Sequence, residues 1–179
     1  VANMHQVSYQ QLYHPTRSVL GCWLSTKPAV LKIDGILFAH GGIATGSSLK
    51  SFNDRVYEYT QDPLFSHLME QPFDSVSFSH VERLEQKDYL YDSFGPFWFR
   101  GYVQTDTLGS YLDAILLNNK AKLHVVGHTT VPRISSLYKG KLIATNVPKA
   151  GTEMLLLTKS KRSKYHRFRI HLLGAFVVL

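Results

Sequence analysis

The sequence predicts an α/β fold, because short apolar runs typical of strands alternate with segments of helical periodicity. The runs at 29–33, 36–39 and 123–126 have the length of buried strands. Apolar residues recur at helical spacing after Ser48 and again after Thr107. The chain of 179 residues is 44% hydrophobic and 18% charged, an ordinary globular composition with enough residues for one domain with a core.

The first two strands are predicted to form a tight hairpin that leads to a histidine. Asp34 and Gly35 separate the two apolar runs, and Asp-Gly is the strongest short-range signal for a two-residue hairpin turn. The second run ends at His40, which Gly41 and Gly42 follow. Glycines allow a sharp turn and the close approach of a ligand. His40 is therefore a candidate site residue.

A second strand end repeats this pattern at 123–130. The apolar run stops at Gly127, His128 comes next, and two threonines follow. If the two strands are neighbours, His40 and His128 can converge on one ligand, and neutral imidazole is a common ligand of metal ions. Taken singly, each histidine is more easily explained as an ordinary surface or structural residue. His124, inside the strand, is expected to be structural.

An aromatic block around Arg100 is the third candidate feature. Gly95-Pro96 marks a turn, and the aromatic residues 97–99 lead directly to Arg100 and Gly101. An arginine held in such a setting suits bidentate recognition of a phosphate or carboxylate. The alternative is an aromatic core strand whose arginine points to water, and the sequence leaves both open.

Several further elements follow from capping residues and periodicity. The expected helix starts are Thr16 or Ser18, Ser47 or Ser48, Asp62-Pro63, and Thr107. Further strands are expected at 141–146 and 153–158, with 134–137 paired to 142–145 as a hairpin. We interpret 46–92 as a helical insertion over the active edge of the sheet, although ordinary packing helices explain the pattern equally well.

The net charge of +7 is concentrated near the C-terminus. Six lysines and arginines lie within 159–169, and the rest of the chain has 14 basic and 13 acidic residues. We interpret 159–179 as a basic, then apolar tail that is solvated rather than a specific polyanion site, so nucleic acid is not an expected partner. For the final residues, 170–179, a strand, a short helix and no regular structure all remain open.

Cysteine content and hydropathy exclude several classes of protein. The single Cys22 excludes an internal disulfide framework and a cysteine-rich zinc site. No run reaches the roughly 20 apolar residues that span a bilayer, so no membrane partner is expected. Nothing at the start resembles a signal peptide. The compartment stays open, with a cytoplasmic location favoured.

Three stretches together resemble a known family. Residues 23–43, 95–102 and 125–129 are similar, in this order, to the C-terminal part of a calcineurin-like metallophosphoesterase. The similarity is greatest to the Shewanella-like branch, which is related to the serine/threonine phosphoprotein phosphatases. It covers about residues 16–158. The resemblance implies a four-layer α/β/β/α sandwich of which residues 1–158 hold the second half, with 46–92 as a helical cap.

The same resemblance implies an activity and roles for the candidate residues. It implies metal-dependent hydrolysis of phosphate monoesters, in phosphoproteins or small molecules, by a water activated between two metal ions of manganese, iron or zinc. His40 and His128 would be metal ligands, and Arg100 would contact the substrate phosphate. The family's three upstream metal-binding motifs are not in this sequence. The chain alone is therefore expected to be inactive, with a second chain or an N-terminal half completing the site.

Two other functions compete with hydrolysis. The first is a non-catalytic metallophosphoesterase remnant that acts as a binding module through an uncovered sheet face. The second is a nucleic-acid binder that uses the basic segment 159–169, in which Tyr165 and Phe168 are interleaved.

Overall fold

The computed structural model describes residues 7–44, 48–63, 93–148, 153–161, 165–172 and 174–179. The chain divides into two compact units, one formed by 1–29 and 47–92, the other by 30–46 and 93–179. In the described part, the first unit contains three helices: α1 (Tyr9–Tyr13), α2 (Val19–Ser25) and α3 (Leu49–Gln61).

Serine residues begin the helices of the first unit. The Ser18 hydroxyl accepts a hydrogen bond from the Gly21 N–H at 2.8 Å, and Ser48 accepts one from the Ser51 N–H at 3.2 Å. These contacts satisfy N–H groups that the first turn of a helix leaves without partners. Of the alternatives given by the sequence, Ser18 and Ser48 are the caps.

The two longer helices of this unit differ in how well their predicted apolar faces are buried. On α3, Phe52 is fully buried, as its spacing predicts. On α2, Trp23 and Leu24 remain exposed. The helix predicted to start at Asp62-Pro63 lies almost entirely outside the described residues, as do Ser47 and positions 64–92. The helical cap at 46–92 therefore stays a prediction beyond α3.

The second unit is built on a five-stranded mixed sheet. Its strands are β1 (Val30–Ile33), β2 (Ile36–Ala39), β3 (Leu123–Val126), β4 (Ser135–Leu137) and β5 (Leu142–Ala144). The strand order is β1-β2-β3-β5-β4; β2, β3 and β5 run parallel, and β1 and β4 pair antiparallel at the two edges. Helices α4 (Gly101–Gln104) and α5 (Gly109–Asn118) lie in the same unit. The predicted α/β class is confirmed.

The predicted hairpin is confirmed in position and in turn type. Ile33 pairs with Ile36, and Val30 pairs with Ala39. The two turn residues, Asp34 and Gly35, both have positive φ, 51° and 79°. A two-residue turn of this kind matches the right-handed twist of the strands, which is why Asp-Gly favours it.

Helix α5 begins one residue later than the sequence predicts. Thr107 does not cap it; instead the Thr107 N–H donates to the Thr105 hydroxyl oxygen at 3.2 Å. The helix starts after Leu108 with no side-chain cap and buries Leu112, Ile115 and Leu116. Threonine can hydrogen-bond to nearby backbone in turns as well as at helix ends, and here the turn prevails.

The C-terminal region forms a second, antiparallel sheet. Its strands are β6 (Glu153–Lys159), β7 (Tyr165–His171) and β8 (Phe176–Val178), in that order. The stretch interpreted as a tail, 159–179, thus contributes the two strands β7 and β8. For residues 170–179 the sequence left three structures open, and the structure shows strand. Alternation explains the difference: the cations Arg167 and Arg169 share one face of β7, and Phe168 lies on the other.

The two faces of this second sheet have different surroundings. Leu155, Leu157 and Tyr165 pack against the buried cluster of the five-stranded sheet. On the other face, Phe176 is 67% exposed and Val178 is 71% exposed. In the part of the chain that the structure describes, no helix has both the length and the apolar character needed to cross a bilayer.

Candidate functional site

His40 and His128 meet at the carboxyl edge of the five-stranded sheet. Ala39 of β2 is in register with Val126 of the parallel strand β3, so the residues after both strands leave the sheet side by side. The His40 Nε2 and His128 Nδ1 atoms are 3.1 Å apart, within hydrogen-bonding distance. The structure therefore brings together two histidines that lie 88 positions apart in the sequence.

Hydrogen bonds from neighbouring residues surround His128, whose backbone conformation is strained. His128 has φ of 54°, a left-handed value that is uncommon for a residue with a side chain. The Gly127 N–H donates to the His40 carbonyl at 2.8 Å, and the Asn146 side-chain N–H donates to the His128 carbonyl at 2.9 Å. Strain of this kind persists only where surrounding contacts fix it, and it clusters at functional sites.

The aromatic block is fixed to the same edge by the two glycines after His40. The Gly41 and Gly42 N–H groups both donate to the Pro96 carbonyl, at 2.7 and 3.2 Å. The Trp98 ring then lies edge-on to the His128 ring, with centroids 5.4 Å apart, and remains 45% exposed. The block forms turns rather than the core strand of the alternative interpretation.

Arg100 acts electrostatically on His128. Its side chain is exposed at the start of α4. The pKa of His128 is lowered, first because burial disfavours the imidazolium, then because the Arg100 guanidinium and His40 are nearby. The lowered pKa favours the neutral form of the His128 ring. Its Nε2 atom is buried and has no hydrogen-bond partner among the described residues.

The buried His124 fixes the backbone beyond the glycines. The Ile43 N–H donates to His124 Nε2 at 3.2 Å, and Nδ1 of the same ring lies 3.3 Å from the Leu37 carbonyl. The Tyr102 hydroxyl donates to the Ile43 carbonyl at 2.8 Å. Both polar groups of Ile43 are thus held by buried side chains. The structural role predicted for His124 is confirmed.

Replacing Gly41 by alanine is expected to destabilise the protein and displace the aromatic block. A Cβ there would lie 2.8 Å from the Phe99 N atom and 3.0 Å from the Trp98 N atom. Because these are backbone atoms, relief requires moving the turn that holds Trp98 and Arg100. We expect a loss of about 1–3 kcal/mol in the free energy of unfolding, measured by urea denaturation.

Gly42→Ala is the matched control for this substitution. Its Cβ would meet side-chain atoms, Phe99 Cδ1 at 3.1 Å and Tyr102 Cδ2 at 3.3 Å, which can shift slightly. The loss should therefore be smaller than at Gly41. Equal losses for the two variants would contradict the close backbone approach that we assign to Gly41.

Asn146 is a contributor to the site that the sequence reasoning missed. It follows β5, the parallel neighbour of β3, and its amide also donates to the Thr130 hydroxyl at 3.3 Å. The signal was present, because the strand predicted at 141–146 ends on this polar residue. What the sequence did not supply was the strand order that brings this end beside His128.

Comparison with known proteins gives structural neighbours only. No family model matches the chain, and no curated protein sequence matches it. One similar solved structure is a cold-active protein tyrosine phosphatase, 27% identical with a TM-score of 0.71. The matched region covers 96% of this chain and 47% of the phosphatase chain. Another is the cold-active protein-tyrosine phosphatase of a psychrophilic Shewanella species, 25% identical with a TM-score of 0.68.

A point mutant of a cold-active protein tyrosine phosphatase is also similar, at 27% identity and a TM-score of 0.69. The chain spans about half the length of these solved structures, 47–48%.

These findings correct the predicted family. The neighbours are named as protein tyrosine phosphatases, and nothing found supports a calcineurin-like metallophosphoesterase. The physical reason for the error is the nature of the motifs. A histidine beside glycine at a strand end encodes a sharp turn and an exposed ring, features that many α/β sites require.

The prediction of two metal ions is wrong on the same findings. The neighbours are named as tyrosine phosphatases, and the described residues contain no group of three or more histidines, cysteines or carboxylates placed to hold a metal ion. The two ring nitrogens that face each other, His40 Nε2 and His128 Nδ1, are 3.1 Å apart, which fits a shared proton. We therefore give these histidines no metal.

Proposed function

We propose that this chain contributes a phosphate-binding and proton-transfer site to a phosphatase, an enzyme that hydrolyses phosphate esters. One observation supports this above all: the imidazole pair His40–His128 lies at the carboxyl edge of parallel strands, close enough to Arg100 for its charge to lower the pKa of His128. Ligands of open α/β sheets bind at such an edge. The names of the structural neighbours favour the same reaction class.

Arg100 is the proposed phosphate-binding residue. Its exposed guanidinium presents up to five N–H donors in a planar fork that fits two phosphate oxygens. Its positive charge also stabilises the charge that develops on the transferring phosphoryl group. The start of α4 and the buried neighbour Phe99 fix the backbone from which it extends.

The imidazole pair is the proposed proton-transfer group. In this proposal the exposed His40 is the member that meets the substrate, and His128, whose pKa is lowered, lies behind it. The oxygen of water attacks phosphorus, and the bond from phosphorus to the ester oxygen breaks. The pair takes the proton that water loses and supplies a proton to the leaving oxygen, so that an alcohol or phenol and inorganic phosphate form with no net proton change.

We extend the proposal to phosphotyrosine in proteins as a substrate class. The neighbours are named for that activity. Trp98, half-exposed beside His128, offers an apolar surface for an aromatic leaving group. Phosphoserine and small phosphate esters remain the alternatives from the sequence. Completion of the site by a second chain or an N-terminal half, and the binding module without catalysis, also stay predictions.

Arg100→Ala tests the proposal. We expect kcat/KM for a phosphotyrosine peptide to fall by about 100-fold, because a donor to the developing charge is lost. Released phosphate is the measurement, on the 179-residue chain and on the product of its complete gene. Arg133→Ala, which changes another exposed arginine of the same unit, should leave the rate unchanged. Absence of phosphate release from both proteins would contradict the proposed function.

A further inference from the structure

A cavity lies at the opposite end of β2 and β3 from the histidines. Its volume is about 340 Å³, within the size range of small-ligand sites. Its lining residues are Asp34, Gly35, Ile36, Lys120, Lys122, Leu123, Tyr165 and Arg167. Its lining residue Ile36 begins β2, four positions before His40, which is about 13 Å along the strand.

Three cations dominate the charge of this cavity: Lys120, Lys122 and Arg167. Within the described ranges, no acidic side chain forms an ion pair with any of them. Three positive charges that line one cavity attract an anion.

The one carboxylate in the lining is already engaged. Asp34 accepts hydrogen bonds from Lys159 at 2.8 Å and from the Tyr165 hydroxyl at 2.9 Å. These hydrogen bonds, with Lys159 first, hold the pKa of Asp34 below its usual value. Its negative charge is therefore offset by Lys159, and the cavity keeps an excess of positive charge.

The cavity walls are fixed by backbone contacts and an apolar floor. The Lys122 N–H donates to the Gly35 carbonyl at 2.8 Å, which ties one cation to the hairpin turn. The Arg167 guanidinium donates through Nη1 to the Gly140 carbonyl. A guanidinium carries five N–H donors, so others can reach a ligand. Ile36 and Leu123, both buried in the core, close the floor.

We infer that this cavity is a second site, one that binds a small organic phosphate. The phosphate lies among Lys120, Lys122 and Arg167, and the organic part rests on Ile36, Leu123 and Tyr165. Charge selects the anion, and the apolar floor selects an organic group over free phosphate. This site is independent of the proposed hydrolysis, because it shares no residue with the histidine pair or with Arg100.

Amide NMR titration of the 179-residue chain with phenylphosphonate, which cannot be hydrolysed as an ester, tests the inference. The Arg100→Ala variant is used throughout, so that phosphonate binding near the histidines is removed. We expect saturable shifts at Gly35 and Leu123. In Lys120→Gln/Lys122→Gln, the affinity should fall at least tenfold, whereas Lys161→Gln, in the same basic segment as Arg167, should retain it. Both lysines are exposed, so the double variant is expected to fold.

Three results would overturn the inference. The first is no saturable shift at Gly35 or Leu123, and the second is equal weakening by Lys161→Gln, which indicates diffuse attraction to the basic segment. The third is inorganic phosphate binding as tightly as phenylphosphonate, which removes the role of the organic group. None of these results bears on phosphate release by the protein with Arg100 intact, so failure here and failure of the proposed function are distinguishable.

Discussion

Replacing His40 by alanine is expected to lower kcat for phosphotyrosine-peptide hydrolysis by about 100-fold or more, the usual contribution of a positioned proton-transfer group. His40 is the exposed member of the pair, and its Nε2 atom lies 3.1 Å from His128 Nδ1. The loss should appear in kcat rather than KM, because Arg100 still binds the phosphate. His166→Ala, at an exposed histidine on the second sheet, is the control that should leave kcat unchanged.

The same prediction distinguishes the roles of the two histidines. His128 is proposed to act through His40, so His128→Asn should reduce kcat and also change the pH profile. Burial, with the nearby Arg100 guanidinium and His40, lowers the pKa of His128. In the wild type, the acidic limb set by this ring therefore lies below the range of an ordinary histidine. Loss of kcat with an unchanged pH profile in His128→Asn would contradict the proposed coupling, and unchanged kcat in His40→Ala would contradict the site itself.

The sequence predicted this edge of the sheet because the chemistry is local there. Asp34-Gly35 specifies its own turn, and an apolar run that stops at His40-Gly41 specifies where the strand ends. The convergence of His40 with His128 depended on strand order, which sequence periodicity does not encode. Parallel pairing of β2 with β3 depends on packing against both faces of the sheet. Leu37 and Val125 lie on opposite faces, and both are buried.

Elsewhere, the sequence was ambiguous for physical reasons that the structure makes plain. The many positive charges in 159–179 suggested a solvated tail. In the structure, however, Arg169 forms an ion pair with Glu153 at 3.4 Å, and Lys159 forms one with Asp34 at 2.8 Å. These cations belong to the faces of β6 and β7. The short motifs were ambiguous for a different reason. A histidine beside glycines predicts a sharp turn and the position of the ring, but not what the ring binds. The motifs therefore could not distinguish a metal-binding site from a hydrogen-bonded pair of histidines.

Acidification is expected to destabilise the protein through His124, by about 3 kcal/mol between pH 6.5 and pH 4. Complete burial lowers the pKa of His124 to about 4 from an ordinary value of 6.5, because the charged ring is not solvated. In the unfolded chain the ring binds a proton near pH 6.5, whereas the folded protein excludes it until about pH 4. The stabilisation is therefore complete above pH 6.5 and is lost as the pH falls through this window.

The free energy of unfolding in urea, measured from pH 4 to pH 7, tests this expectation against His124→Gln. Glutamine offers an oxygen to the Ile43 N–H in place of Nε2 but does not titrate, so the variant should be less stable at pH 7 with a shallower dependence on pH. If the variant and the wild type have the same slope, His124 is not the group responsible. Direct NMR titration of the His124 ring in the wild type decides the question even if the variant does not fold. A buried neutral imidazole that holds Ile43, and through it the backbone after His40, must resist protonation until well below pH 6.5. A measured pKa near 6.5 would therefore contradict the mechanism.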